Sequence, residues 1–307
     1  MAPLTQRQQP NTIEWEPAYL RAAARAIRPK ERLTLPQWME RYHHIPKEAA
    51  EPGRFRFDKT PWLREIAEVL DPSHPAQEIV FAKPTQIGAT ELGNAWIGYC
   101  IERHPCMMLQ VQPTLEMAKR YSRTKIAPMI RSNPVLKNLV AAEKSRDGAN
   151  TILGKTFPGG GFFMTGANSA AGLRMVSARF LFADERASYP IDLDEEGNPF
   201  IIAKKRADTF GRKAKIYSPS TLTIKGECSI EDDYARSDRR KFFVPCPKCG
   251  EMQVMMWPQV KWPTGRPELA GYECISCSSI WDNGMRIGAT IAGEWVGQVE
   301  WHWPMPL

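Results

Sequence analysis

The stretch Ile79-Val80-Phe81-Ala82-Lys83-Pro84-Thr85-Gln86-Ile87-Gly88-Ala89-Thr90 reads as a strand, a loop and the opening of a helix. A β-type run over residues 78–82 leads into Lys83, and a helical pattern follows from about residue 90 to residue 103. The loop compares with the Walker A pattern G-x-x-x-x-G-K-[ST]. Gly88 and Thr90 match it, whereas Lys83 stands at the first glycine and Ala89 at the usual lysine. A phosphate loop needs backbone N–H groups at a helix N-terminus, a cation on the phosphates and a hydroxyl for Mg2+. Gly88 permits close approach of the backbone and Thr90 supplies the hydroxyl. Lys83 has a long flexible stem that brings its ammonium to the same place from the start of the loop. The stretch also fits an ordinary strand-to-helix turn with a surface lysine.

Further along, Arg179-Phe180-Leu181-Phe182-Ala183-Asp184-Glu185 is an apolar run ending in two acids. A buried strand of this kind delivers its carboxylates to the carboxyl edge of a parallel sheet, where ligands bind in such folds. In that Walker B arrangement Asp184 holds Mg2+ and Glu185 orients and deprotonates an attacking water. A strand ending in Asp-Glu also arises by accident, but its order after the loop supports reading the two together. Between them lie an apolar run at 106–111, a helix capped by Thr114 and reaching about residue 121, more helix toward 139, and a hairpin pairing 151–157 with 161–165 around Pro158-Gly159-Gly160. Strands follow at 178–183 and 214–217. Upstream, helices are expected over 13–27, 35–42 and from Pro61 to about residue 70. Strands alternating with helices imply an α/β fold with a mostly parallel sheet covered on both faces.

Composition shifts after residue 242, where cysteine, tryptophan and proline rise. Cys246-Pro247-Lys248-Cys249 and Cys274-Ile275-Ser276-Cys277 are two CxxC knuckles, each aiming two thiolates at one point. That is the pattern of a closed, structural tetrahedral Zn2+ site. Cys100, Cys106 and Cys228 sit in apolar or strand-like contexts and read as core residues. The chain of 307 residues divides on this reading into an N-terminal tail and helix (1–34), a nucleotide-binding α/β domain (35–242), a four-cysteine module (243–287) and a terminal segment (288–307). No apolar run approaches membrane-spanning length, and the N-terminus lacks the apolar core of a signal peptide, so an intracellular protein is expected. The net charge is +7, and Lys204, Lys205, Arg206, Arg212, Lys213, Lys215, Arg236, Arg239, Arg240 and Lys241 crowd one stretch. Together they suggest a face for a polyanion such as DNA, although any one of them fits a solvated helix face.

The colinear pieces PGRFRFDKTPWLREI (52–66), KPTQIGATE (83–91), TGANSAAGLRMVSARFLFADE (165–185), RKAKIYSPSTLTIKGE (212–227) and FVPCPKCGEMQV (243–254) resemble the lambda-type phage terminase large subunits. The resemblance implies a RecA-like P-loop ATPase core with a small four-cysteine zinc-binding module. It also implies that ATP and Mg2+ are bound along Lys83, Pro84, Thr85, Gln86, Ile87, Gly88, Ala89, Thr90 and Glu91. Lys83 then serves as the phosphate lysine, Asp184 and Glu185 as the Walker B pair, and Ser218-Pro219-Ser220-Thr221 as the motif coupling hydrolysis to DNA movement. Arg174 is a candidate arginine finger, with a surface role as the alternative. Phe57, Trp62 and Arg64 fall in the segment flanking the adenine, with Trp62 fitting plain core equally well. The implied partners are double-stranded DNA, a small terminase subunit and a portal on which copies assemble as a ring in the host cytoplasm. Family members carry a nuclease domain after the zinc module. This chain ends at Leu307 with no room for one, so DNA cleavage is not assigned to it. Two rival expectations are a catalytically inactive remnant that binds only DNA or partners, and a helicase-like translocase, for which a second RecA-like domain is missing.

Overall fold

The computed structural model describes residues 20, 31–140, 150–193, 195–224 and 228–299. The chain divides into two units, residues 1–33 and 34–307. Of the first, Leu20 is helical, and the rest of the helix expected over 13–27 lies outside the described residues. The second unit carries fourteen strands among the described residues: β1 (His44–Ile45), β2 (Gly53–Arg54), β3 (Glu78–Lys83), β4 (Met107–Gln112), β5 (Gly154–Phe157), β6 (Gly160–Gly166), β7 (Phe180–Ala183), β8 (Lys215–Thr221), β9 (Lys241–Pro245), β10 (Met252–Val254), β11 (Val260–Lys261), β12 (Gly271–Glu273), β13 (Ile280–Trp281) and β14 (Glu294–Val296).

The main sheet has the order β3-β8-β7-β4-β6-β5. All its pairings are parallel except that of β5 with β6, the hairpin expected around Pro158-Gly159-Gly160. The central strands are buried on both faces, which explains why β7 reads as an unbroken apolar run rather than an alternation. One face, carrying Phe180, Phe182 and Tyr217, packs on helix Ala89–Arg103, with Trp96 against Phe180 and Tyr217. The other face, carrying Leu109, Val111, Leu181, Ala183 and Ile216, packs on Leu173, Phe200 and Ile202, which come from the short helices Ala170–Arg174 and Pro199–Lys204 and close this face. Thr114 caps helix Leu115–Tyr121 through the Met117 N–H, as its sequence position implies.

The strand expected over 214–217 runs four residues further, through Pro219 to Thr221. The Pro219 carbonyl accepts from Glu185 N at 3.1 Å, beyond the last residue of β7. The missing proline N–H therefore faces a position where the ladder has already ended, and a proline is tolerated there.

The basic run is not all exposed. Lys215 begins a buried strand, so its side chain is carried inward, where Nζ donates to the carbonyls of Val69 at 2.7 Å and His74 at 2.9 Å. Burial brings its pKa down to about 8. Lys204 pairs with Glu78, Arg236 with Asp233, and Arg240 with Glu65 and Asp238. Lys205, Arg212, Lys213, Arg239 and Lys241 remain exposed. Among the described residues, no helix is long and apolar enough to cross a membrane.

The four-cysteine module is built from two three-stranded sheets, β10-β9-β14 and β11-β12-β13, with helix Asn283–Ile291. Each CxxC knuckle is the turn of a hairpin, one between β9 and β10 and one between β12 and β13. The residue after each second cysteine, Gly250 or Ser278, has positive φ and returns its N–H to the carbonyl of the first cysteine, Cys246 or Cys274. Among the described residues the buried core of this module is small, Val244, Cys246, Tyr272, Cys274, Trp281 and Ala289, with Phe242, Met255, Val260 and Met285 partly buried against it.

Helix Ala89–Arg103 sits so close to the sheet that a Cβ on Gly93 would lie 2.3 Å from the buried Phe182 ring. In an exposed helix Gly→Ala stabilises by about 1 kcal/mol. Here Gly93→Ala is expected to destabilise by about 1–3 kcal/mol, because Phe182 stacks on Tyr217 and has no room to retreat. The midpoint in urea reads the difference.

Candidate functional site

The sheet registers gather the chemistry at one edge. Lys83 is paired with Thr221 across β3 and β8. Val111 is paired with Ala183 across β4 and β7, so Asp184, just past the end of β7, stands beside Gln112, the last residue of β4. Because β8 lies between β3 and β7, its last residue stands between the loop lysine and the acid pair.

Lys83 is buried, with 5% of its side chain exposed, and its Nζ donates to Glu185 Oε1 at 2.7 Å. The other Glu185 oxygen accepts from Thr221 Oγ1 at 2.8 Å and from Thr221 N at 3.3 Å. Partial burial raises the Glu185 pKa, but the Lys83 and Thr221 hydrogen bonds outweigh it and hold the carboxyl below its usual range. Asp184 is more deeply buried. Its oxygens accept from Thr90 Oγ1 at 3.3 Å and Gln112 Nε2 at 3.2 Å. Burial is the largest influence and lifts its pKa to about 6, with the neighbouring Glu185 charge adding to the rise. The oxygens of Thr90 and Asp184, the latter hydrogen-bonded by neutral donors, suit a hard divalent ion such as Mg2+.

The loop that joins β3 to helix Ala89–Arg103 turns through two left-handed residues, Gln86 (φ 60°) and Gly88 (φ 86°). Gly88 is required at its position twice over, since a Cβ there would also lie 3.0 Å from Leu63. Pro84, Thr85 and Gln86 are exposed, Ile87 and Gly88 partly so, and Ala89 is buried with its carbonyl accepting from Tyr217 at 3.1 Å. Glu185 is itself left-handed, at φ 48°, an unusual conformation for a residue with a side chain and one held here by its side-chain hydrogen bonds, together with the bonds that its N–H donates to the Pro219 carbonyl and its carbonyl accepts from the Ser188 N–H.

Other expected site residues lie apart. Glu91 turns to His43, whose Nε2 is 2.7 Å from Oε1, and accepts from Asn94 at 3.2 Å. Ser218 lies three residues inside the edge, opposite Val80, with its hydroxyl buried and unpartnered. Arg174 does not join the Lys83–Glu185 cluster; its guanidinium forms a two-pronged pair with Glu196. Phe57 and Arg64 stack at 4.6 Å and line a cavity of about 430 Å³ together with Arg56 and Pro61. Trp62 donates from its indole to the Ile87 carbonyl at 2.9 Å, so it is a strut of the loop rather than plain core.

Sequence reasoning missed three residues. Gln112 was detectable as the polar end of a buried strand at the same edge. Arg186 is buried, pairs with Asp233 and lies 3.6 Å over the Phe200 ring, tethering the turn that carries Glu185 to helix Ser229–Ala235. Trp295, whose indole donates to the Trp62 carbonyl, carries no sequence signal.

In the module the four Sγ atoms lie within 4.8 Å of one another, with Cys246–Cys277 and Cys249–Cys274 each at 3.8 Å. A tetrahedron of thiolates about 2.3 Å from a Zn2+ has edges of about 3.8 Å, so the spacing of the four Sγ atoms fits such an ion. Burial raises the Cys246 thiol, but the knuckle N–H groups of Cys249 and Lys248 reverse this and bring it to about 6.

Residues 49–295 match the family model for the phage terminase large subunit gpA, ATPase domain. The chain belongs to that family. It is 30% identical over 253 residues to the terminase large subunit of Enterobacteria phage P21, covering 79% of this chain and 38% of that protein. With the terminase large subunit of Escherichia phage lambda it shares 28% over 267 residues, 83% of this chain and 41% of that one. This terminase chain thus spans about two fifths of the length of the curated relatives it matches. Among solved structures, the Thermus phage P74-26 large terminase ATPase domain aligns at a TM-score of 0.35 and 18% identity, covering 49% of this chain and 63% of that one. The large terminase of a thermophilic bacteriophage, in complex with ATP-gamma-S, aligns at 0.34 and 16%, covering 53% and 36%. Scores this low leave the fold to be read from the chain itself.

The raised Asp184 pKa has a consequence for stability. Its folded-state value lies above the unfolded carboxyl value, so the ionised group weakens the metal-free fold at neutral pH, and the penalty fades as pH falls through about 6. Asp184→Asn is therefore expected to stabilise the metal-free terminase chain at pH 7.5 by roughly 1–3 kcal/mol. The gain should shrink toward pH 4.5. Urea titrations in chelator at both pH values check it, and equal gains at both would contradict the burial account.

Proposed function

We propose that the chain is an ATPase of the RecA-like P-loop type that hydrolyses ATP to drive double-stranded DNA in packaging. The observation that carries this reading is the Lys83–Glu185–Thr221 cluster at the carboxyl edge, with Asp184 and Thr90 beside it. Electrostatic positioning of phosphates and of an attacking water is what phosphoryl transfer asks of a protein, and these residues supply it.

Without nucleotide Glu185 is not free to accept a proton, since Lys83 and Thr221 occupy its two oxygens. Phosphate oxygens at the loop compete for the Lys83 ammonium. Once Lys83 turns to them, Glu185 Oε1 is released to orient water, and Thr221 keeps the carboxylate aimed through Oε2. The N-terminus of helix Ala89–Arg103 and the Gly88 N–H face the same anion. Thr90 and Asp184 would hold Mg2+, which when bound neutralises phosphate charge. Gln112 keeps the Asp184 carboxylate turned toward Thr90. The Phe57 and Arg64 cavity is assigned to the base.

The site residues not gathered at the edge keep their proposed roles only through movement. Arg174 acts as a finger if it leaves Glu196, on this chain or toward a neighbouring copy in a ring. The exposed Lys205, Arg212, Lys213, Arg239 and Lys241 are the part of the basic run left to meet DNA. The portal and the small subunit are the partners proposed for the assembled motor in the host cytoplasm. The four-cysteine module takes Zn2+ as a structural ion, closed by four thiolates, and domain limits near 34 and 242 are proposed with it.

DNA-stimulated ATP hydrolysis at high protein concentration tests the reading. The parent should turn over, and Lys83→Ala and Glu185→Gln should each lose about 100-fold or more. Activity untouched in both variants, or none in the parent, overturns it. Metal content tests the module separately. One Zn2+ per chain is expected, and its removal by chelator should unfold residues 241–296 in preference to the main sheet, read by proteolysis.

A further inference from the structure

The phosphate loop is held by contacts that begin in the four-cysteine module. Trp62 Nε1 donates to the Ile87 carbonyl at 2.9 Å. Ile87 lies between Gln86 and Gly88, the two left-handed residues of the loop. A trans peptide is planar, with its C=O and the following N–H pointing in opposite directions. Fixing the Ile87 carbonyl on the indole therefore aims the Gly88 N–H away from Trp62.

Trp62 is held in turn. Its own carbonyl accepts from Trp295 Nε1 at 2.8 Å, 233 residues away in sequence. Trp295 belongs to β14 and stands opposite Phe242 on β9, the strand that runs straight into Cys246. Its ring meets Phe242 edge to face at 5.4 Å and Phe81 at 6.0 Å. Phe81 lies in β3, two residues before Lys83. One indole thus bears on both limbs of the loop, on the strand that enters it and, through Trp62, on the turn that leaves it. Arg240, just before β9, adds a second tie by pairing with Glu65 on helix Leu63–Leu70, which begins next to Trp62.

We propose that Trp295 is a positioning residue for the phosphate loop, setting the direction of the Gly88 N–H through Trp62, so that the four-cysteine module is a structural arm of the nucleotide site. The purpose of this arm rests on the ATPase reading, but the coupling itself is measurable without nucleotide.

The test is hydrogen exchange by mass spectrometry on the full chain, comparing the parent with Trp295→Phe and Trp62→Phe. Each variant keeps an aromatic ring and loses the N–H donor, together with part of the indole's volume. Both should speed exchange in the peptide covering residues 83–92 by roughly fivefold, the factor that one net hydrogen bond contributes. Strands β4 and β7 should exchange at the parental rate. The double variant should add little to either single one, because the two bonds act in series. A loop that exchanges at the parental rate in Trp295→Phe overturns the proposal. So does a rise spread evenly over the whole chain, which would mark a general folding role. In steady-state assays Trp295→Phe should raise the KM for ATP several-fold with kcat little changed. A parent without turnover would sink the ATPase reading and leave the exchange comparison to decide the coupling alone.

Discussion

A lysine ammonium taken out of water is stabilised by a partner of opposite charge, and the Lys83–Glu185 pair organises the carboxyl edge of the sheet. Lys83 enters the sheet on the same face as Ile79 and Phe81, so its head arrives buried. Glu185 meets it only because β8 separates β3 from β7 by one strand, leaving a gap that a lysine and a glutamate can bridge. Thr221 fills the space between them from the end of that strand. Asp184, one residue earlier, receives only neutral donors, and the contrast between the two neighbouring carboxyls follows from which of them the ammonium reaches.

Strain collects at the same edge. Gln86, Gly88 and Glu185 all adopt left-handed backbone conformations within one layer of the structure. Two of the three carry side chains, and such conformations persist where the surroundings over-determine them. The surroundings here are rigid: helix Ala89–Arg103, pressed onto Phe182, on one side of the loop, and the Trp62 and Trp295 indoles on the other. The buried Arg186–Asp233 pair holds the turn after Glu185. Removing one partner of such a pair costs about 3–5 kcal/mol, so the acid pair is anchored as firmly as the loop.

Much of this was legible in the sequence, for local reasons. Lys83, Thr90, Asp184 and Glu185 each sit at a boundary between an apolar run and a polar segment, and boundaries are visible one-dimensionally. The two CxxC knuckles are visible for the same reason. Gln112 was visible as the polar end of an apolar run, but its place beside Asp184 needed the knowledge that β4 and β7 are neighbours. The Trp62 and Trp295 contacts needed the fold of the whole second unit, since nothing in a tryptophan's flanking residues tells which carbonyl its indole will find. Lys215 was misplaced with the exposed basic residues because a count of charges carries no depth: it belongs to a strand start and is buried, while Lys213, two residues earlier, is exposed. The extension of β8 through Pro219 was missed because proline argues against a central strand unless the neighbouring strand is known to have stopped.

The place of β8 also orders events in time. β3 pairs with β8 alone in the sheet, and Glu78 stands opposite Ile216, so the first strand made must wait for the last. At a synthesis rate of about 5–20 residues per second, that wait lasts roughly 7–28 s. β5 and β6 close as a local hairpin meanwhile, and β4 can meet β6 and β7 as they appear. Only when β8 slides between β7 and the waiting β3 do Lys83 and Glu185 come within reach. A nascent chain halted before residue 215 would hold five of the six strands of the main sheet but not the one whose place between β3 and β7 sets Lys83 against Glu185.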